Sequence, residues 1–573
     1  MVLIPTPGAE ASRTIAYFSM EVGVEAAMPT YAGGLGVLAG DTLKACADLG
    51  VPVAGVTLVH RKGYFRQRLD QEGNQTEWSG EWKPEERLEA LEPRVTVEIE
   101  GREVVLRAWR LELAGRAAGA VPVYLLDADL PDNAPEDRRL TDHLYGGDDR
   151  CRLIQEAILG LGGVAMLRAL GHHAIATFHM NEGHSALLAL ALVEEGVAAE
   201  EVREWCVFTT HTPVPAGHDR FPLEQVRDVL GESRAVALES LGGVADGALD
   251  MTRLALATSR WVNGVAMRHG QVSRTMFPDV PVGSITNGVH AGTWVSPPIA
   301  RLFDRRVPGW REDTFHLRFA GEIPLPELAA AHLEAKRALF HDVETRSGRR
   351  LDESALTLGF ARRATSYKRA GLLFSDVERV RAIAREAGRI QVLYAGKAHP
   401  RDEGGKAGIR SVFAAAAALG EDVPVVWLED YDMSLAASLC AGVDVWLNTP
   451  IKPREASGTS GMKAALNGVP SLSVPDGWWV EGLVEGVTGW SIDDGGTEGD
   501  SDAEIASLYA RLEGSVLPLF HHDPEGWGRI MRSTIAVNGA FFHAQRMVLE
   551  YAAHAWGIAA SAGSPAREAA GRL

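Results

Sequence analysis

Short apolar, β-rich runs recur through the second half of the chain with helix-patterned stretches between them, and this alternation narrows the choice of fold. The runs are Leu356–Phe360, Ile390–Ala395, Val423–Leu428, Val443–Leu447 and Val469–Val474. Helical spacing fills intervals such as Arg369–Glu386 and Ser434–Ala441. Strands separated by a helix cannot pair as a hairpin, so the crossovers predict a parallel sheet covered on both faces. Open sheets of that kind take ligands at the carboxyl ends of their strands. The residues just after each run are therefore the first place to look for chemistry.

The first half alternates too, with more insertions. Candidate strands are Ile15–Ser19, Val51–Leu58, Val121–Leu126, His173–Phe178 and Val207–Thr210, and candidate helices are Val37–Asp48 and Leu153–Ala169. Val95–Leu113 reads as a β-hairpin turning at Gly101 and Arg102, and the polar Tyr64–Lys83 as loop or short strands near the surface. The segment TNGVHAGTWVSPP, Thr286–Pro298, interrupts the pattern and marks a boundary. DDGGTEGDSD, Asp493–Asp502, is expected to be an acidic surface loop, and the Ala/Gly-rich tail from Ala559 to fray. A chain of 573 residues exceeds one ordinary core. The expected architecture is two α/β lobes with a cleft between them: residues 1–293, joined by the C-terminal helix, and residues 294–573.

Charge and cysteine content exclude several classes of function. The formal net charge of -19 repels nucleic acid and anionic membrane surfaces. An anionic ligand would need a local cationic pocket. Cys46, Cys151, Cys206 and Cys440 are widely spaced without a C-x-x-C pair, which argues against a disulfide framework or a cysteine zinc site and for a reducing compartment. MVLIPTPGAEAS lacks the basic-then-apolar pattern of a secretory leader, and no apolar run reaches membrane-spanning length. A cytoplasmic protein is expected.

Three segments carry candidate chemistry. In REASGTSGMKAALNGVPSLSVPDGWWVEG, Arg454–Gly482, a flexible Gly458–Gly461 turn precedes a short helix stopped by Gly468, and Lys463 falls in its first turn. Exposed N–H groups at such a helix start suit a phosphate. From spacing alone, a structural loop, a phosphate cradle and a Schiff-base lysine for pyridoxal phosphate all remain open. ARRATSYKR, Ala361–Arg369, concentrates Arg362, Arg363, Lys368 and Arg369 at a strand's carboxyl end; a solvated basic loop is the plain alternative. TYAGGLGVLAGD, Thr30–Asp41, offers glycine backbone for close ligand approach, or simply a tight turn.

Taken together, these segments resemble one family. EASGTSGMKAALNG is similar to the pyridoxal-phosphate signature of the glycogen and α-glucan phosphorylases, and YFSMEVGVEAAMPTYAGGLGVLAGDTLK to their N-terminal active-site segment. FHMNEGHSAL, TTHTPVPAGH, ITNGVHAGTW and RRATSYKR occur in the family's order, so the resemblance spans Tyr17 to Gly482. It implies two Rossmann-like lobes of the GT-B type with catalysis in the inter-lobe cleft. The implied reaction is reversible phosphorolysis of an α-1,4-glucan to α-glucose 1-phosphate with retention. Pyridoxal 5′-phosphate would be bound through Lys463, its 5′-phosphate relaying a proton. The partners implied are α-glucan, inorganic phosphate and glucose 1-phosphate, with a homodimer as the family's assembly and no metal.

By the same resemblance, Gly458, Thr459, Ser460, Arg362, Lys368, Trp294 and Gly34 neighbour the cofactor. Arg363 and Lys368, with backbone from Gly33, Gly34 and Leu35, hold the substrate phosphate. Glu455, Ala456, Ser457, Gly458, Asn287 and His211 contact the sugar, and the His211 carbonyl faces the developing oxocarbenium charge. Glu21, Glu182 and His184 match other pocket positions. The plain alternative for His184 and His211 is a core histidine satisfied by backbone. Neither the His172–His173 pair nor His179 with His184 has carboxylate or cysteine spacing for zinc.

Some features depart from the family pattern. The sequence begins almost at YFSMEVG, and the protein is therefore expected to lack the N-terminal extension that carries phosphorylation and nucleotide control in the animal enzymes. The loop reads Gly-Thr-Ser-Gly-Met-Lys where relatives have Gly-Thr-Gly-Asn-Met-Lys, and Asp432 replaces a basic residue near the cofactor. Trp478 and Trp479 could stack on glucan or pack in the core. Two rivals share the scaffold: a retaining sugar-nucleotide glycosyltransferase, which needs no Schiff-base lysine, and a non-catalytic glucan-binding protein, which would not keep Arg363, Lys368 and Lys463.

Overall fold

The computed structural model describes residues 14–116, 119–214, 217–493, 495–496 and 500–558. The tail from Ala559 and parts of the acidic loop lie outside the described residues. Numbering strands in chain order, the first main sheet contains β1 (Thr14–Phe18), β2 (Val53–Leu58), β5 (Glu89–Ile99), β6 (Arg102–Ala114), β7 (Ala120–Asp127), β8 (Ile175–Asn181), β9 (Cys206–Thr209), β13 (Trp261–Gly264) and β14 (Val282–Ser284). Their order is β14-β13-β9-β8-β1-β2-β7-β6-β5. Pairing is parallel from β14 to β7, and β6 and β5 add an antiparallel edge. The hairpin turn lies at Glu100 and Gly101, both with positive φ, so Arg102 already belongs to β6.

The second main sheet is parallel throughout: β15 (Leu356–Ala361), β16 (Ile390–Ala395), β17 (Val425–Leu428), β18 (Val445–Asn448), β19 (Ser471–Ser473) and β20 (Gly489–Ser491), in the order β17-β16-β15-β18-β19-β20. All six residues of β15 and of β16 are buried, which is why these strands read as unbroken apolar runs. β20, Gly-Trp-Ser, carries no such run and escapes the sequence reading. The chain is thus a mixed α/β protein built on two large, mainly parallel sheets. A small sheet of β10 (Arg220–Pro222), β11 (Val244–Ala245) and β12 (Ala248–Asp250), and a hairpin of β3 (Phe65–Leu69) and β4 (Gln75–Ser79), complete the strands.

Two helices differ from expectation. Arg369–Glu386 is not one helix. Arg369 has φ 47°, and the regular helix begins at Val377, where the Asp376 carboxylate accepts the Arg379 N–H. The helix expected at Leu153–Ala169 starts at Asp149 and contains a π turn at Ile158–Gly162. A Cβ at Gly160 would lie 2.6 Å from the backbone at Leu187 and Leu188, so glycine allows these segments to touch.

The last described segment returns to the first sheet. Ala544, Met547, Val548, Tyr551 and Trp556 share one buried cluster with Ile15, Tyr17, Leu38 and Val53. No described helix is long and apolar enough to cross a membrane.

Candidate active site

The loops that follow the parallel strands of both sheets line one cavity of about 1000 Å³. All nineteen residues singled out from the sequence border it: Glu21, Gly33, Gly34, Leu35, Glu182, His184, His211, Asn287 and Trp294 from the first half, and Arg362, Arg363, Lys368, Glu455, Ala456, Ser457, Gly458, Thr459, Ser460 and Lys463 from the second.

After β18 the chain enters the turn before the helix Thr459–Leu466. Gly458 sits there with φ 87°, a backbone that a side chain would strain, and no side chain caps the helix start. The first N–H groups of that helix are therefore available to an anion at the cavity wall. Because the helix begins at Thr459, Lys463 lies in its second turn rather than the first. Its ammonium rests 3.9 Å from the centre of the Trp294 ring. Burial lowers its pKa, with Asp41 and Cys440 opposing the shift. An amine with a lowered pKa and no carboxylate bonded to it is poised to act as a nucleophile toward a carbonyl.

The basic turn after β15 is divided in its tasks. Arg362 Nη2 and Lys368 Nζ both donate to Glu455 Oε2, at 2.7 and 2.6 Å, and Arg362 also bonds Asn448. Burial alone would raise the Glu455 pKa; the two cations outweigh it and hold the carboxyl at about 2. Arg363 has no carboxylate partner among the described residues, and its side chain is exposed along the cavity, with Tyr64 and Tyr367 nearby. Arg369 turns away. It donates to the Thr449 and Pro450 carbonyls at 2.9 and 2.7 Å and pairs with buried Glu504, so it is not one of the cavity's cations. Asp432, the residue out of place against the family pattern, caps the helix Met433–Gly442 by accepting the Leu435 N–H at 2.8 Å.

On the opposite wall, Glu21 accepts the N–H groups of Ala32 and Gly33 at 2.6 and 3.3 Å and the Tyr145 hydroxyl at 2.7 Å. It thereby fixes the glycine turn that opens the helix Gly34–Leu49. A Cβ at Gly33 or Gly34 would meet nothing within 4 Å, so both face open space where a ligand can approach the main chain. Glu182 bears a positive φ of 76°, a conformation that costs about 1–3 kcal/mol. In that pose its carboxylate accepts from Gly183, His211 and Thr212 and ties the ends of β8 and β9 together. The His211 ring bonds Asn181 at 2.7 Å, and burial lowers its pKa to about 4, which keeps it neutral. Asn287 Oδ1 and Ser457 Oγ are buried without a partner among the described residues, which suits polar groups that meet a hydroxylated ligand.

The sequence reading missed several cavity residues. Asp219 pairs with Arg152 at 2.9 Å and with His184 at 3.3 Å, and Glu156 lies close by. Glu156, His184 and Asp219 have ligand atoms within 4.8 Å of one another, but the Arg152 guanidinium lies 2.9 Å from both carboxylates and already supplies the positive charge. The i,i+4 spacing of Arg152 and Glu156 was the available signal. Trp478 and Trp479 do not stack on a ligand. They are 2% and 0% exposed, and Trp478 packs edge-on to Phe542 at 4.8 Å.

Comparison with known proteins agrees with this geometry. Residues 217–489 match the family model described as carbohydrate phosphorylase. The maltodextrin phosphorylase of Thermococcus litoralis is 40% identical, across 94% of this chain and 70% of its own length. The chain belongs to the carbohydrate phosphorylase family. A Mycobacterium tuberculosis glycogen phosphorylase is 39% identical over 95% of this chain and 71% of that one, and an Aquifex aeolicus glycogen phosphorylase 34% identical over 94% and 85%. As a carbohydrate phosphorylase the chain is a glycosyltransferase, and members of its family use pyridoxal phosphate. The residues present fit that group: a buried amine over an indole face, an uncapped helix start beside it, and glycine backbone facing open space.

Proposed function

We propose that this carbohydrate phosphorylase transfers the terminal glucose of an α-1,4-glucan to inorganic phosphate, releasing α-D-glucose 1-phosphate with retention. Relatives named maltodextrin and glycogen phosphorylase support the reading over most of the chain. The observation that carries it is the meeting of Lys463, the basic turn at Arg362–Lys368 and two unpartnered polar groups on one cavity. On this reading the fold is of the GT-B type, residues 1–293 and 294–573 form Rossmann-like lobes, and the cavity is the cleft between them. The protein acts in the cytoplasm.

Lys463 would hold pyridoxal 5′-phosphate, with Gly458, Thr459, Ser460, Arg362 and Lys368 around its phosphate and Trp294 and Gly34 beside it. When bound, that phosphate supplies the proton relay toward the substrate phosphate. Arg363, a cavity cation with no carboxylate partner among the described residues, and the backbone from Gly33 to Leu35 receive the substrate phosphate. Like charges about 4 Å apart repel by about 4 kcal/mol per unit pair at intermediate dielectric, so Arg363 and Lys368 are needed to let two phosphates approach. Glu455, Ala456, Ser457, Asn287 and His211 orient the glucosyl unit. The His211 carbonyl faces the positive charge that develops as the C–O bond breaks. Glu21, Glu182 and His184 hold the surrounding wall.

The test is phosphate-dependent release of glucose 1-phosphate from maltooligosaccharides. Arg363→Ala should lower kcat/KM for phosphate by about 10²–10³-fold while glucan binding persists. Full activity of that variant would defeat the phosphate site. A pyridoxal absorption band that Lys463→Ala abolishes separates this reading from a sugar-nucleotide transferase, which would show no such band.

A further inference from the structure

Behind Trp294 lies a carboxylate that the reading above leaves without a task. Asp41, on the helix Gly34–Leu49, is fully buried. Its Oδ2 accepts the Trp294 indole N–H at 2.8 Å, while Oδ1 has no hydrogen-bond partner among the described residues. The face of the same indole carries the Lys463 ammonium at 3.9 Å. Carboxylate, indole and amine are therefore joined through one ring. An indole that donates its N–H to an anion gains electron density on its face, which strengthens attraction for a cation placed there.

The other charged and titratable groups around this assembly are few. Lys44 donates to the Val24 carbonyl at 2.7 Å and to Thr293 Oγ1 at 3.0 Å, and Asp41 is the first of the carboxylates acting on it. Cys440 lies near Lys463, its Sγ 3.7 Å from the Ser460 carbonyl. Among the described residues, Asp41 is the carboxylate that favours the charged form of the Lys463 amine. A buried carboxylate with an unused oxygen is rare enough to call for an explanation, and the cofactor lysine is the neighbour that supplies one.

We propose that Asp41 is a positioning residue for Lys463, acting through the Trp294 indole and through its charge to seat the amine and set when it sheds its proton. The proposal rests on the reading of Lys463 as the attachment point for pyridoxal phosphate. Attachment needs the neutral amine, so a carboxylate that favours the charged form moves attachment to higher pH.

The experiment uses full-length apoprotein mixed with pyridoxal 5′-phosphate across a pH series. The adduct at Lys463 is reduced with borohydride and counted by mass spectrometry. Asp41→Asn keeps an acceptor for the indole but removes the charge. It should shift the midpoint of the attachment profile to lower pH by about one unit, with the melting temperature near wild type. An unmoved midpoint in folded Asp41→Asn protein overturns the proposal while leaving Lys463 as the attachment point. No adduct in the wild-type protein overturns the attachment reading and this proposal with it. Should Asp41→Asn fail to fold, Trp294→Phe serves instead: it cannot donate to Asp41, and the same downward shift at smaller size supports the link, whereas an unmoved midpoint refutes it.

Discussion

Glu455 lies 2.7 and 2.6 Å from two of the cavity's cations, and neither Arg362 nor Lys368 can receive a phosphate at full strength while that carboxylate stays in place. A glucosyl unit that draws Glu455 onto its hydroxyls would release both cations, so sugar and phosphate should assist each other's binding. Glu455→Gln should therefore bind inorganic phosphate several-fold more tightly in the absence of glucan and lose about tenfold in kcat with glucan present. Calorimetry without glucan and steady-state rates with it check the two halves; unchanged phosphate affinity would refute the coupling. The same carboxyl has a stability signature. Its folded pKa of about 2 lies below the ordinary 4.5, so its contribution, about 3 kcal/mol, is complete above pH 4.5 and is lost as pH falls from there toward 2. Glu455→Gln should flatten acid unfolding in that window. Residue types and order, matched to the family's motifs, picked out residues that border one cavity. They could not show that Glu455 faces Arg362 and Lys368 rather than open solvent, or that Arg369 points toward Glu504, since those are choices of rotamer and loop path made only in three dimensions.

The hairpin of β3 and β4 shows where element-level reading stops. Its sequence, polar and without an apolar stripe, reads as loop or short strands near the surface, and nothing in it foretells that the hairpin docks on the turn after β16. Gln67 donates to the Gly396 carbonyl at 2.9 Å, Gln75 donates to the Ala398 carbonyl at 2.8 Å, and Gln75 Oε1 accepts the Ala398 N–H at 3.0 Å. Arg66 with Asp430, Arg68 with Glu429 and Lys406 with Glu77 surround these bonds. Hydrophobic periodicity is blind to docking by buried amides, which leave no 2.0 or 3.6 repeat. The buried strands β15 and β16, by contrast, were legible to within one residue because both faces are covered. Gln75→Ala would leave a buried N–H and a buried carbonyl at Ala398 unpaired, at a cost of about 2–3 kcal/mol. Urea unfolding of Gln75→Ala should show that loss, while exposed Arg68→Ala should cost less than about 1 kcal/mol. Equal effects from the two variants would mean that the amides are not what fastens the hairpin.

At the scale of the whole molecule the last described segment closes back on the part that carries Asn287. Ala544 donates to the Val289 carbonyl at 2.9 Å, and Val289 donates to Phe542 at 3.1 Å. Arg546 donates to the carbonyls of Thr286 and Asn287 at 2.7 and 2.9 Å. Tyr551 and Trp556 reach further, to Thr209 and Asn263 and to His179. The order of strands in each sheet was not legible in the sequence, because apolar runs announce that a strand is buried but not which strand it lies beside. One glycine makes the return possible: a Cβ on Gly288 would stand 2.2 Å from the His543 carbonyl oxygen, so any side chain there must push the two segments apart. Gly288→Ala should therefore destabilise the fold by about 3 kcal/mol. Because Asn287 is the next residue, the variant should also raise KM for maltooligosaccharide at least roughly tenfold. Lys463 and its helix lie outside this junction, so pyridoxal phosphate content should stay near wild type. Thermal melts, KM for glucan and cofactor absorbance on one preparation separate the three effects. Loss of cofactor in step with loss of glucan affinity would mean instead that the returning segment supports the whole cavity, and the local account of Gly288 would fall.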